Sequence, residues 1–219
     1  MENGKPKITV GKNGPYTVFG EIPISEYVIV ADADGTAIQW RESRKYQYKE
    51  KCGLCRCGQS KNKPFCDGTH LKVNFDGTEV ADFNLSEKEI KEFSGPTLRL
   101  NDAEILCASA RFCHRAGGIW NLVSQSSSDE NRGIAIEESF NCPSGRLVLQ
   151  DMKTEKILEP AFSPSIGLIE DPQLECMGPI WVRGGIPISS WQLRHRQWSI
   201  LRAARSSPTS AQSQRARLK

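Results

Sequence analysis

Four side chains within sixteen residues are equipped to bind metal. In the segment CRCGQSKNKPFCDGTH, residues 55–70, Cys55 and Cys57 flank a single residue, and Cys66 precedes His70 by four. Alternate side chains of an extended chain share a face, so Cys55 and Cys57 can grip one metal atom while Arg56 points away. A four-residue spacing puts Cys66 and His70 on one side of a helical turn. Gly58 and the polar stretch after it supply a turning loop, and Pro64 fixes the chain before Cys66. Three thiolates and one imidazole would make a structural zinc site, although zinc knuckles and ribbons commonly leave two or more residues between paired cysteines. The same ligands also divide into two pairs, one per iron, as a two-iron, two-sulfide (2Fe-2S) cluster requires.

Written as C-x-C-x2-S-x3-P-x-C-D-G-T-H, the segment resembles the CDGSH iron–sulfur proteins, also called the NEET family, at every defining position. The resemblance implies a 2Fe-2S cluster with Cys55 and Cys57 on one iron and Cys66 and His70 on the other. Two ferric ions, two sulfides, three thiolates and a neutral imidazole carry a net charge one unit less negative than an all-cysteine site, which eases reduction. Lys51, Arg56, Lys61 and Lys63 lie within a few residues of the ligands and would favour the reduced form further, or they are simply a solvated surface. His70 introduces a proton switch, because protons compete with metal for its ring nitrogen as pH falls. Asp67 is expected near the start of the ligand-bearing helix, where a carboxylate caps free amides, and Gly68 to allow close approach of the chain to the cluster. Ser60 would either donate to a sulfur or stabilise the loop.

Three further cysteines form C-x5-C at Cys107 and Cys113, followed by CPSGRL from Cys142. This region is similar to the divergent single-cluster ferredoxin domain often found beside CDGSH motifs. A four-ligand cubane would need His114, Cys176 or an outside ligand in addition, and the alternative is three buried free thiols. Cys52 and Cys176 have no motif partners and read as free thiols.

The elements that must position these residues are mostly strands. Tyr16, Val18, Ile22 and Ile24 lie among Gly and Pro, YVIV follows at 27–30, and Asp34-Gly35 turns the chain into TAIQW at 36–40. Ser86 with Glu89 three residues later is a capping box, so SEKEIKEF, residues 86–93, is predicted to be a short helix. QSSSDENRG at 125–133 is predicted to be a polar loop, and RLVLQ at 146–150 with EKIL at 155–158 a hairpin. The expected class is α+β: a small β-rich CDGSH-type iron–sulfur fold at 1–80, a small ferredoxin-like α+β domain at 81–175, and a truncated second repeat with a basic, disordered tail at 176–219. The repeat is explicit, because GPYTVFGEIPIS at 14–25 recurs as GPIWVRGGIPIS at 178–189 with eight of twelve positions identical at an offset of 164. At that offset the counterpart of Cys55 falls on Lys219, so the second copy carries no ligand loop. Self-association in a homodimer would pair two motifs; alternatively, the second copy packs within the chain.

The chain of 219 residues is 38% hydrophobic and 25% charged, which excludes disorder as the dominant state. No apolar run is long enough to span a bilayer and the first twenty residues lack a signal-peptide core, so a cytoplasmic address and no membrane contact are expected. Residues 191–219 hold six Arg, one Lys and no acidic residue, while residues 1–190 carry 22 basic against 26 acidic side chains. Nucleic-acid contact would therefore rest on the tail alone. No catalytic triad, phosphate-cradling loop or dinucleotide fingerprint is present. The expected role is non-enzymatic: one-electron transfer, or delivery of the cluster, to a redox partner or cluster-acceptor protein. The alternative is a zinc-stabilised interaction module whose basic tail contacts nucleic acid.

Overall fold

The computed structural model describes residues 5–78, 89–191 and 215–216, and the fold is β-rich with a few short helices, an α+β class. In the first sheet β1 (Lys7–Val10) pairs antiparallel with β2 (Tyr16–Phe19), which pairs with β5 (Lys51–Leu54). The second sheet joins β3 (Ile24–Ala31) to the long strand β4 (Ala37–Tyr46). Gly35 closes the turn between them at φ +84°, a conformation that glycine adopts without steric cost.

The second copy of the repeat packs within the chain, and it does so by exchange. Strand β10 (Ser165–Asp171) forms a hairpin with β11 (Cys176–Arg183), and β12 (Ile188–Ser190) follows. Ile8 of β1 faces Val18 on one side and Ile188 of β12, in parallel, on the other. Ile166 of β10 likewise faces Val182 on one side and Ile24 of β3, in parallel, on the other. Val18 and Val182, and Ile24 and Ile188, are related by the repeat offset, so each copy lends its third strand to the other copy's hairpin. The short strand β13 (Arg215–Ala216) pairs on Ile180 and Trp181 of β11, where β5 pairs on Tyr16 and Thr17 of β2. A single core results, with Val18, Ile22, Ile24 and Leu54 packed against Ile166, Ile180 and Val182. Burying each such side chain contributes on the order of 1.5–3 kcal/mol, and neither copy could bury its inner face alone.

The middle unit is a third sheet of β6 (Lys91–Ser94), β7 (Leu98–Asp102), β8 (Leu147–Asp151) and β9 (Ile157–Leu158), covered by α2 (Ile119–Ser124) and α3 (Asp129–Asn141). Its core is built on Leu98, Leu100, Ile119, Val123, Ala135 and Leu149. It docks on the second sheet through an aromatic stack in which Trp40 lies 4.7 Å from Phe112 and 5.3 Å from Trp181. Arg111 adds a bidentate bond to the buried Asp171 at 2.6 and 3.0 Å.

Two expectations fail in this unit. Lys91–Ser94 is a strand, not the end of a helix, because Phe93 is opposite Leu100 in an antiparallel ladder; Ser86 to Lys88 lie outside the described residues. Tertiary pairing here overrides a local capping signal. The stretch 125–133 is not a loop throughout: α3 starts at Asp129, with the Ser128 hydroxyl accepting from the Asn131 amide and Asp129 and Glu130 in its first turn, an arrangement the helix dipole favours. Of the basic tail, residues 192–214 and 217–219 lie outside the described residues. Among the described residues no helix is long and apolar enough to cross a membrane.

Candidate metal centre

The ligand segment leaves the sheet and returns to it at one place. Beyond the end of β5, the Cys55 amide donates to the Pro64 carbonyl at 2.7 Å, and the Cys66 amide donates to the Gly53 carbonyl at 2.8 Å. Leu54 and Phe65 form a bridge between these bonds. The excursion 55–65 is thus closed at its base, and Cys55 and Cys66 are both anchored there through their backbone amides. Inside the loop the Ser60 hydroxyl donates to the Phe65 carbonyl at 2.6 Å and accepts from the Asn62 amide at 3.0 Å. Ser60 is therefore a loop brace.

The four sequence-predicted residues come together as two pairs. Cys55 Sγ lies 3.8 Å from Cys57 Sγ, and Cys66 Sγ lies 3.3 Å from His70 Nδ1. A tetrahedral metal with sulfur bonds of about 2.3 Å and nitrogen bonds of about 2.0 Å spans separations of this size, so each pair is already spaced for one ion. The second pair does not arise as the four-residue spacing suggests. The helix α1 covers only Thr69–Lys72, and Cys66 precedes it; a turn at Asp67 and Gly68 folds the cysteine back onto the histidine. Gly68 takes φ +84° at the helix start, which accounts for glycine there. Asp67 stitches the turn to the loop, accepting from the Lys61 amide at 2.9 Å and the Thr69 amide at 3.0 Å. Those two amides, Lys61's first, hold its carboxyl well below the usual carboxylate range.

Electrostatics at Cys57 favour its neutral thiol. Desolvation pushes the Cys57 thiol up, and the neighbouring Cys55 sulfur pushes it further. Two thiolates at this distance need positive charge between them, so metal uptake would release protons. Arg56 is buried rather than displayed: its guanidinium donates to the Gly11 carbonyl at 3.2 Å and lies over Tyr16 and Phe75. Cys52 is half-buried in the core and burial lifts its thiol to about 11. Behind Cys55 a cavity of about 210 Å³ is lined by Leu54, Cys55, Lys63 and, from the second copy, Leu168, Met177 and Pro179.

The middle unit gathers a looser set. Cys107 follows a 3-10 helix at Glu104–Leu106, Cys113 lies in a second at Phe112–Gly117, and Cys142 ends α3. Burial, and then the Cys142 and Cys107 thiols, push Cys113 up to about 11, with Arg146 acting against them. The His114 ring packs near Trp120. Cys176 is exposed on β11, opposite Asp171.

Sequence reading missed the group that organises this unit. Arg146 is buried, and it donates from Nε to Asp102 Oδ1 at 2.7 Å and from Nη2 to Oδ2 at 2.6 Å. Trp120 Nε1 donates to the same carboxylate at 3.0 Å. Burial disfavours the guanidinium charge, but Asp102 outweighs it, and the Cys107 thiol also faces Arg146. Arg146 stands within CPSGRL, yet its partner is forty-four residues away, and no local signal links them. Glu138 is a second omission. It is fully buried in α3, neither oxygen has a hydrogen-bond partner among the described residues, and desolvation raises its carboxyl to about 8, with Arg115 opposing and Glu137 assisting.

Comparison with known families agrees with this layout. Residues 13–71, which include all four paired ligands, match the iron-binding zinc finger of CDGSH type. Residues 93–152, which include Cys107, Cys113 and Cys142, match the divergent 4Fe-4S mono-cluster family. No match is found among curated proteins or solved structures. The chain thus carries a CDGSH-type iron-binding domain over 13–71 and a divergent iron–sulfur domain over 93–152.

Proposed function

We propose that Cys55 and Cys57 bind one iron, and Cys66 and His70 the other, of a 2Fe-2S cluster, and that the protein serves in one-electron transfer or cluster delivery without turning over a substrate. The observation that carries this is the pairing of the ligands at 3.8 and 3.3 Å. The one-residue gap between Cys55 and Cys57 and the division of the ligands into two pairs suit two irons better than one zinc ion. When bound, such a cluster supplies one-electron redox chemistry at a potential raised by its histidine ligand. The chain's own groups do the rest. The closed loop base anchors Cys55 and Cys66 through their amides, Asp67 sets the turn that leads to His70, and the second copy lines the cavity at Cys55. Protonation of His70 competes with iron, so acid promotes cluster loss.

Visible absorption with iron and acid-labile sulfide analysis tests this directly. A red-brown protein bleached by dithionite is expected; a colourless protein with stoichiometric zinc and no labile sulfide would overturn the reading. A second cluster on Cys107, Cys113 and Cys142 is favoured by the match over 93–152 and by the mutual electrostatic influence of the three thiols. Iron in the parent should exceed that of a Cys107/Cys113/Cys142 triple serine variant.

A further inference from the structure

The middle unit has one cysteine too few for a four-iron cluster, and the empty place falls at a definite position. Bacterial ferredoxins carry C-x2-C-x2-C with a distant Cys-Pro as the fourth ligand. Cys107 and Cys113 take the outer places of that run and Cys142, before Pro143, the distant one, so the middle place falls on Ala110. Ala110 is 8% exposed and packs with Phe112, Ile169 and Trp181 in the core shared with the second sheet, between left-handed backbone at Ser109 and Arg111. Cys113 and Cys142 pack on the other core, that of the middle sheet. A fourth ligand must therefore come from elsewhere. The thiols themselves have polar neighbours of the kind that cluster sulfurs take: the Ser109 amide donates to Cys107 Sγ at 3.3 Å, and Ser144 Oγ lies 3.5 Å from Cys142 Sγ.

One side chain in this unit lacks what an iron would give it. Glu138 is fully buried, and neither of its carboxyl oxygens has a hydrogen-bond partner among the described residues. A carboxyl group withheld from water without a partner is costly, and native cores rarely keep one. Ala135, Glu138 and Cys142 follow one stripe of α3, at the three- and four-residue spacings that put side chains on one helix face. The stripe faces inward, because Ala135 and Cys142 both pack on the core of the middle sheet. Helix α3 in turn packs against Phe112–Gly117, the segment that carries Cys113, and Arg115 of that segment pairs with Glu137 of α3 at 2.9 Å. His114 and Cys176 are exposed, and Cys176 lies on β11 opposite Asp171.

We infer that Glu138 is the fourth protein ligand of the middle site, its carboxylate holding the iron that Cys107, Cys113 and Cys142 leave unligated in a four-iron, four-sulfide (4Fe-4S) cluster. The inference rests on the second cluster proposed above. Carboxylate oxygen is an ordinary ligand for protein-bound iron. In the iron-free chain burial keeps the Glu138 proton in place, while Arg115 favours the charged form. On binding, the proton leaves to solvent, a carboxylate oxygen bonds iron, no electron is exchanged, and the buried group gains the partner that the protein does not supply. The stripe of α3 thus carries two ligands one turn apart, Glu138 and Cys142, in place of the cysteine that position 110 lacks.

The test loads the full chain anaerobically with iron and sulfide, then reads iron per chain and the low-temperature electron paramagnetic resonance (EPR) spectrum after mild oxidation with ferricyanide. The parent should hold about six irons, two in the first site and four in the middle one. Glu138→Gln keeps the size of the side chain and removes the ligand. It should lose about one iron per chain and show the EPR signal of a three-iron, four-sulfide cluster, with the far-UV dichroism of the parent. Glu138→Cys should restore the iron count and suppress that signal, which a merely structural role for Glu138 would not produce. A Glu138→Gln variant with the iron content and spectrum of the parent overturns the inference and leaves the carboxyl a protonated acid. A three-iron signal in His114→Ala or Cys176→Ala, and not in Glu138→Gln, overturns it in favour of those residues. Equal iron in the parent and the Cys107/Cys113/Cys142 triple serine variant removes the second cluster itself and the inference with it, an outcome distinct from loss of the Glu138 assignment alone.

Discussion

The cysteines of the first unit and those of the middle unit lie in opposite electrostatic settings. The first set is held by backbone bonds at the mouth of a loop, with its nearest buried cation, Arg56, engaged elsewhere. In the second, Cys107 and Cys113 face a buried guanidinium that Asp102 holds in place. Pre-paired ligands near the surface suit a site that exchanges electrons or cargo with a partner. Thiols grouped round a fixed internal charge suit a site whose integrity depends on the surrounding core. Sulfur content alone does not separate these cases; what the backbone and the neighbouring charges do around each set does.

The largest effect should come from breaking the first set. Cys55→Ser is expected to remove two irons per chain and leave any iron of the middle unit in place, as read by metal analysis; a full complement of iron in that variant would sink the assigned pairing. Next, Asp102→Ala should cost about 3–5 kcal/mol in denaturant unfolding, because it leaves the Arg146 charge buried without a partner. Loss below about 1 kcal/mol would mean that the ion pair does not organise the middle unit. His70→Cys should then slow the bleaching of the cluster at about pH 5 by roughly tenfold and lower its potential, since a thiolate replaces the ligand that protons displace. Equal bleaching rates would remove His70 from the ligand set.

A smaller effect concerns pH and stability. The Glu138 carboxyl sits at about 8, above its ordinary 4.5, so the native state holds this proton more tightly than the unfolded chain. Stability from the protonated group is complete below about 4.5 and is lost as pH rises through about 8. The melting temperature should therefore fall between about pH 5 and pH 8, and Glu138→Gln should flatten that fall. Parallel pH profiles for parent and variant would show that the carboxyl finds a partner. Smallest of all, Cys52→Ala should leave iron content unchanged, which separates the one-residue Cys55/Cys57 pair from a C-x2-C reading that begins at Cys52.

The ligand segment was legible in sequence because its chemistry is local: residue types and spacings within sixteen positions carry it. The repeat was legible for the same reason, as twelve contiguous residues recur. The geometry joining Cys66 to His70 was not, since a turn set by Asp67 and the Lys61 amide produces it and the spacing alone also fits a helical face. Strand β10, the counterpart of β1, keeps the pairing role without keeping the sequence, so the reciprocal exchange was visible only in the register of Ile8 and Ile166. Phe93 became a strand residue because Leu100 lies across from it, a contact that no window around Ser86 could reveal. Arg146 and Glu138 were invisible because burial, which gives both their importance, is decided by distant partners.

The reciprocal lending of strands also bears on synthesis at the ribosome. An emerging chain that has reached residue 80 contains the whole ligand motif but lacks β12 beside β1 and β10 beside β3, and lacks the second-copy residues that line the cavity at Cys55. Pairings that span more than 140 residues close late. The ligand loop can therefore close early, but the lining beside Cys55 is completed only after translation passes the second hairpin.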